Sequence, residues 1–159
     1  MIDKYELFQA DTKPKGISLA GYSAEKKIYH ISEEDQTGNI FTPRLPINFM
    51  TDNQYEDDTT PRVCFSESID GCLVGTRYKL ETNIMYVHEP ANYSTLITKK
   101  PTIDEVPEAE ISEEVWVLSP VKMRCIGKIE IMEPLGIPLQ YKYGDNTGEA
   151  YKWKWKYIK

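Results

Sequence analysis

The sequence predicts one α+β domain built mostly from short antiparallel strands, with one or two short helices. The chain has 159 residues, the usual size of a single domain. Its hydrophobic content of 40% and charged content of 28% are typical of globular proteins and argue against disorder or a fibrous repeat. Short runs of β-branched and aromatic residues recur between proline, glycine and polar clusters, which is the pattern of strands joined by turns. We therefore treat residues 1–159 as a single domain.

The N-terminal third contains little regular structure. Residues 1–24 are polar and irregular, and we expect a loosely attached segment there. Residues 27–32 are β-prone and end in the polar cluster 33–38, which predicts a strand followed by a turn. The segment 41–61 holds three prolines and an acidic stretch, a composition that opposes a helix or a central strand. We expect a long ordered loop, either a lid or pocket wall or a surface excursion packed by its own aromatic residues.

The middle of the chain predicts a strand that leads into a helix. Residues 62–65 have the composition of a buried strand, and residues 66–75 that of a turn entering a short helix with Ser66 as its N-cap. The apolar residues of this helix are spaced three and four apart, which places on one buried face Ile69, Cys72 and Leu73. Residues 84–88 predict another strand, ended by the Glu-Pro pair that follows.

The C-terminal half begins with an acidic stretch and ends in an alternating strand. Residues 98–114 carry six acids and two prolines, which predicts a solvated connector. Residues 114–118 and 123–131 predict two strands joined by a hairpin or a corner. In residues 151–159 aromatic residues alternate with lysines, which places the two kinds on opposite faces of a strand. We expect an edge strand protected by its lysines, with binding of single-stranded nucleic acid as the alternative.

The charge of the chain limits its partners. A formal net charge of -6 and a pI near 5.0 disfavour broad nucleic-acid binding, because an acidic surface repels phosphate. A small anionic ligand held by one or two arginines remains compatible with this charge. The first residues lack the apolar core of a secretory signal, and no segment approaches the ~18 apolar residues of a membrane span. We expect a soluble cytoplasmic protein without a membrane partner.

Familiar metal and nucleotide motifs are absent from the sequence. Three cysteines without a close CxxC pair and only two histidines argue against a structural zinc site. The cysteines are interpreted as buried, reduced thiols. The chain also lacks DxDxDG, HExxH, GxSxG, GxGxxG and Walker-type patterns. No metal ligand is therefore assigned.

Two groups of residues carry candidate chemistry. His30 and His88 lie on separate predicted strands and could converge as in a two-histidine phosphoesterase, where one imidazole is the base and the other the acid. That chemistry places a phosphate-binding hydroxyl two residues beyond each histidine; Ser32 fits, whereas a proline follows the second histidine. The second group is Arg62 with the helix N-terminus near Ser66, which favours an anion such as pyrophosphate. Alternatively, the arginine is a salt-bridge partner or a surface residue.

Two of these segments resemble the opening half of small ADP-ribosyltransferase-like domains: YHIS at 29–32 and PRVCFSES at 61–68, followed by a short helix. The chain also resembles small uncharacterised proteins of phages and bacterial mobile elements in three short motifs, EVP at 105–107, VWV at 115–117 and CIGKI at 125–129. Together the matches extend over roughly residues 28–131. The resemblance implies an ADP-ribosyltransferase-like fold and NAD as the ligand.

The resemblance also implies roles for individual residues. His30 would bind the ribose of NAD, Phe65 would stack on the nicotinamide, and Ser66 with Arg62 would position ribose or phosphate. The full candidate cofactor-binding set is His30, Ser32, Arg62, Phe65, Ser66 and Ser68. Such transferases carry a late glutamate that stabilises the oxocarbenium ion and activates the acceptor. Glu114 matches that glutamate by its order in the chain, with a solvated residue of an acidic run as the alternative.

Three functions follow as expectations. The first is an NAD-binding ADP-ribosyltransferase-like protein, such as a phage effector that modifies a host macromolecule. The second is a non-catalytic phage anti-defence protein that sequesters a nucleotide signal or inhibits a host protein. The third is a structural or interaction module that uses exposed aromatic residues. The histidines and Arg62 are also similar in type to the pocket residues of RNA 2'-phosphotransferases, which again implies NAD-type binding.

Overall fold

A computed structural model describes residues 26–46, 57–76, 83–143 and 146–159. These residues form a small single-domain mixed α/β protein of mostly antiparallel strands with two short helices, as the sequence predicts. The elements in chain order are β1 (His30–Ser32), β2 (Ile40–Phe41), β3 (Val63–Ser66), α1 (Ile69–Thr76), β4 (Ile84–Pro90), β5 (Thr98–Lys99), α2 (Ala109–Ser112), β6 (Glu114–Val117), β7 (Val121–Tyr143) and β8 (Asn146–Ile158). The predicted N-terminal segment 1–24 and residues 47–56 of the predicted loop lie outside the described residues.

Two antiparallel sheets are joined by a backbone bridge beside the candidate site. The larger sheet has five strands in the order β1-β4-β7-β2, with β8 also paired to β7, and the smaller sheet has the order β3-β6-β5. Tyr29, just before β1, bridges Ser66 at the end of β3. The Tyr29 N–H donates to the Ser66 carbonyl at 2.7 Å, and the Ser66 N–H donates back at 2.8 Å. We call this junction the seam, because it joins the two sheets beside the candidate site.

The connection after β6 is a corner and not a hairpin. β6 pairs with β3 and β5, whereas β7 pairs with β4, β2 and β8. The chain therefore changes sheets at 118–120, where the sequence left both possibilities open. β7 continues beyond the predicted strand 123–131 and pairs with β8 as a long antiparallel pair. β4 also runs two residues further than predicted, to Pro90.

The C-terminal strand covers the main hydrophobic cluster with its aromatic face. Trp153, Trp155 and Tyr157 are half-buried against a cluster formed by α1, β1, β4 and β7, while the intervening lysines are exposed. The Trp155 Nε1–H donates to the Asp70 carboxylate of α1 at 2.7 Å. The period-two pattern of the tail thus gives one face for packing and one for solvent.

Part of the predicted acidic connector 98–114 is buried. It contains β5 and α2, and Val106 and Ala109 pack against the fully buried Trp116. A Trp side chain buries a large apolar surface. Contacts from two small apolar residues are therefore enough to hold the acidic stretch against the smaller sheet. Among the described residues, no helix is both long and apolar enough to cross a membrane.

Candidate functional site

A pocket of about 280 Å³ opens at the seam and brings four of the predicted site residues together. His30, Phe65, Ser66 and Glu114 all line it, each from a strand near the junction of the two sheets. We call this cavity the first pocket. Its volume lies near the lower end of the range for small-molecule sites.

His30 is held in one tautomer by the main chain. Its Nδ1 lies 3.0 Å from the carbonyl oxygen of Cys64, and because a carbonyl only accepts, Nδ1 carries the proton of the neutral ring. Nε2 therefore keeps its lone pair. Burial lowers the pKa of His30, and the neighbouring His88 lowers it further, against the opposing hydrogen bond to Cys64. His30 is thus a neutral acceptor at neutral pH, packed at 5.7 Å between ring centroids against Phe65.

Glu114 faces Ser66 across the smaller sheet. The two residues are direct partners in the β3–β6 pair. The Glu114 Oε2 accepts a hydrogen bond of 2.6 Å from the Trp116 indole and one of 3.6 Å from the Cys64 thiol. These donors fix the orientation of a carboxylate on the pocket wall. Cys64 is exposed here, so the prediction that it is buried is wrong.

The prediction that Ser66 caps the helix is wrong. α1 begins at Ile69, and the Ser68 hydroxyl accepts the Gly71 N–H at 2.9 Å, which makes Ser68 the N-cap. Ser66 remains in β3, where its pairing to Tyr29 and Glu114 keeps it extended. Its hydroxyl instead donates to the Ser112 carbonyl at 2.6 Å. Ser68 also donates to Glu113, so its role is to join α1 to the end of α2.

Arg62 is buried and holds the chain beside a second pocket. Its Nη1 donates to the carbonyls of Asp57 and Thr60 at 2.9 and 3.1 Å, and its guanidinium lies 4.0 Å from the ring centroid of Trp116. These contacts tie residues 57–60 to the smaller sheet. The second pocket, of about 720 Å³, shares His30 and Cys64 with the first and is also lined by Arg62.

Arg44 lines the same second pocket and was missed by the sequence analysis. It is exposed, and its backbone pairs with that of Arg62. Only its position inside the proline-rich segment 41–61 pointed to it, because that segment was predicted to be either a lid or pocket wall or a surface excursion. Glu108 was missed in the same way, because it lies in the acidic run taken as a connector, yet it lines the first pocket.

Three of the predicted residues, Ser32, Ser68 and His88, line neither pocket. The Ser32 hydroxyl donates to the Glu34 carbonyl at 2.9 Å and closes a local turn. His88 does converge with His30, as expected, since the two are direct partners in the β1–β4 pair with ring centroids 6.4 Å apart. His88 is fully buried, however, and its Nε2 accepts the Gln36 N–H at 2.9 Å. Because Nε2 already accepts this hydrogen bond, it neither acts as a base nor donates a proton to a phosphate in the pocket, and two-histidine chemistry is not supported.

The described residues contain one group with the donor types of a transition-metal site. Asp35, His88 and Cys125 each place one possible ligand atom within 4.8 Å of the others. The group lies on the larger sheet, away from Glu114. In the order of the strands, His30 lies between this group and Glu114. Sequence spacing gave no sign of it because the three residues come from three separate elements.

The two pockets differ in charge. Among the described residues that line them, the first pocket has the carboxylates Glu108 and Glu114 and no lysine or arginine. The second has Arg44 and Arg62 and no acid; because Arg62 is paired with the Asp57 carboxylate at 3.3 Å, the positive charge of this pocket comes mainly from Arg44. Because both pockets share His30 and Cys64, they form a continuous surface that favours a cation at one end and an anion at the other.

Comparison with protein-family models, with curated proteins and with solved structures finds no match to this chain.

Proposed function

We propose that the chain binds an NAD-type dinucleotide and acts as an ADP-ribosyltransferase-like protein, with a host macromolecule as the acceptor. The nicotinamide ribose would occupy the first pocket and the pyrophosphate the second. The single observation that carries the proposal is the division of charge between the two adjoining pockets. Oxidised NAD has the same division, with a cationic pyridinium ring at one end and a dianionic pyrophosphate in the middle.

The chain's residues suit the nicotinamide half of such a ligand. Phe65 provides an apolar ring on the wall, and the two carboxylates attract the pyridinium charge. The fixed tautomer of His30 leaves Nε2 as an acceptor for a ribose hydroxyl. Arg44 provides an exposed guanidinium for the pyrophosphate, a pairing that guanidinium groups favour. Arg62 would act mainly by holding the pocket wall, because Asp57, Thr60 and Trp116 already contact it.

Glu114 is the proposed catalytic residue. When the bond between ribose C1' and the nicotinamide nitrogen breaks, its electron pair goes to the ring and neutralises the pyridinium. Positive charge then develops at C1', and a carboxylate held nearby stabilises it. The acceptor attacks C1' and loses a proton to the carboxylate or to water. The hydrogen bonds from Trp116 and Cys64 keep the Glu114 carboxylate in one orientation for both steps.

Release of free nicotinamide tests the enzymatic half of the proposal. Purified chain is incubated with NAD, and nicotinamide is quantified for the wild type, Glu114→Gln and Glu110→Gln. The last is a matched control, because Glu110 is an exposed acid of α2 that does not line the first pocket. We expect Glu114→Gln to lower the rate by about 10²–10³-fold while NAD still binds. An equal rate in Glu114→Gln and wild type would overturn the catalytic assignment.

Sequestration without turnover is the second candidate function. The observation in its favour is that Glu114 already accepts two hydrogen bonds, which reduce its capacity to interact with a ligand. A binding protein of this kind would protect a nucleotide signal from other proteins. It predicts that NAD is recovered intact after heat denaturation of the complex, with no nicotinamide above background. Nicotinamide release that depends on Glu114 would contradict it.

A further inference from the structure

We propose that Asp35, His88 and Cys125 bind a thiophilic divalent transition-metal ion of the zinc class. These residues provide an oxygen, a nitrogen and a sulfur, which are the three donor types that Zn²⁺ accepts. Their possible ligand atoms all lie within 4.8 Å of one another. The three residues come from the turn after β1, from β4 and from β7, so an ion there would connect three parts of the larger sheet.

A break in strand register brings the histidine and the cysteine together. Val87 pairs with Gly127, so regular pairing would place Ile126 opposite His88. The β4–β7 register shifts between Val87 and His88, and Cys125 becomes the partner of His88 instead. Such bulges redirect side chains and are common near functional sites. The displaced Ile126 packs partly against the main hydrophobic cluster, which gives the shifted register an apolar contact.

His88 is buried with an unsatisfied polar atom. It is 0% exposed, and its Nδ1 has no hydrogen-bond partner among the described residues. A buried histidine without full hydrogen bonding is costly when its only role is packing. Because Nε2 accepts a hydrogen bond, Nδ1 carries the proton of the neutral ring, and Nε2 is the nitrogen whose lone pair can bind a metal ion.

The distances need only a small adjustment. An ion with bonds of about 2.0–2.3 Å holds tetrahedral ligand atoms roughly 3.3–3.8 Å apart. The His88 Nε2 already lies 3.9 Å from the Asp35 Oδ1. The Cys125 thiol donates to the Gly127 carbonyl at 3.5 Å, a weak contact that a rotation of the side chain would exchange for the ion. On binding, the Cys125 S–H bond breaks, its proton goes to the buffer and the sulfur electron pair goes to the metal.

A second hydrogen bond must also be given up. The Gln36 N–H now donates to the His88 Nε2 at 2.9 Å, where the ion would bind. The turn residues on both sides, Asp35 and Thr37, are exposed, so the Gln36 N–H can turn to water. Loss of one such bond lowers the affinity roughly fivefold, which is small against the affinity of a three-ligand site. A fourth position is left for water.

Titration with Co²⁺ tests the site, because a cobalt–thiolate bond gives a charge-transfer absorption that oxygen and nitrogen ligands do not give. The chain has only three cysteines, so single substitutions can show which of them binds the ion. We expect a thiolate band that saturates at one Co²⁺ per chain and disappears on addition of Zn²⁺. Cys125→Ser should abolish the band, and Asp35→Asn should weaken binding by at least about tenfold. Asp35 is about half exposed, with a side-chain exposure of 52%, so this variant keeps the fold.

Cys64→Ser is the matched control, because Cys64 is an exposed thiol outside the group. It should leave the band unchanged. The proposal is overturned if wild type shows no thiolate band at Co²⁺ concentrations that exceed the protein severalfold. It is equally overturned if the band survives in Cys125→Ser or is lost in Cys64→Ser, because the ion would then lie elsewhere.

Discussion

Replacement of Gly71 by alanine should separate α1 from α2 and damage the first pocket. A Cβ at this position would overlap the Ser112 carbonyl oxygen and the Ser66 Oγ, and would lie 2.9 Å from the Ser112 carbonyl carbon. An ordinary contact begins near 3.4 Å, and the two oxygens lie closer to the added Cβ than the carbon does, so α1 must move away by about 1 Å. The Ser66–Ser112 hydrogen bond is lost in the process.

The size of the effect follows from three contributions. Overpacking costs about 1–3 kcal/mol, and loss of a buried hydrogen bond costs about 1 kcal/mol. The better helix propensity of alanine stabilises the folded state by roughly 0.5–1 kcal/mol. We therefore expect Gly71→Ala to lower the free energy of unfolding by about 1–3.5 kcal/mol, measured by urea denaturation.

Gly127→Ala is the matched control for this substitution. A Cβ at Gly127 would meet only the Tyr157 ring, at 3.4 Å, which is an ordinary contact. Its free energy of unfolding should stay within about 1 kcal/mol of wild type. A Gly71→Ala protein as stable as wild type would refute the packing described for α1 and α2, and with it the wall of the first pocket.

Three further predictions concern stability and access to the site. Ser68→Ala should lower the free energy of unfolding by about 1–2 kcal/mol, because it removes the N-cap of α1; Ser94→Ala, at an exposed turn, should cost less than about 0.5 kcal/mol. The pKa of His30 is lowered by burial, so the unfolded chain takes up its proton first as the pH falls below about 6.5. Stability should therefore decrease between pH 7 and 5.5, and His30→Gln should reduce that slope in urea denaturation without abolishing it, because burial also lowers the pKa of His88. Cys64 is exposed and lines both pockets, so NAD should slow its alkylation, measured by mass spectrometry, while labelling of an unliganded control stays fast.

Local patterns in the sequence predicted much of the fold. The alternation of aromatic residues and lysines in the tail is local, and β8 has the exposed and half-buried faces that it predicts. The strand around His30 and the strand that leads to Phe65 were also evident, because each is a short β-branched or aromatic run. Residues 98–114 were misjudged because their composition is dominated by acids, whereas their structure depends on contacts to the distant Trp116.

The candidate site was partly predictable for the same reason. His30, Phe65, Ser66 and Glu114 were found from local motifs and chain order, and the pairing of β3 with β6 brings the last two together. The N-cap was misplaced by two residues, because Ser66 and Ser68 are chemically alike and only strand pairing to Tyr29 distinguishes them. Arg44, Glu108 and the group around His88 depend on tertiary proximity, which no local pattern reports.

The most direct test of the NAD proposal compares oxidised with reduced NAD. The two differ in the charge of the nicotinamide ring, so the carboxylates of the first pocket should favour the oxidised form by about 1 kcal/mol, or roughly fivefold. Arg44→Ala should weaken both forms alike, whereas Lys152→Ala, which removes an exposed cation from β8, should weaken neither.

Dissociation constants from calorimetry for both nucleotides, with wild type and a Glu108→Gln/Glu114→Gln double variant, decide the question. We predict tighter binding of oxidised NAD by wild type and a ratio near one for the double variant. Failure to bind either nucleotide, tighter binding of the reduced form, or a ratio unchanged by removal of the two carboxylates would contradict the account.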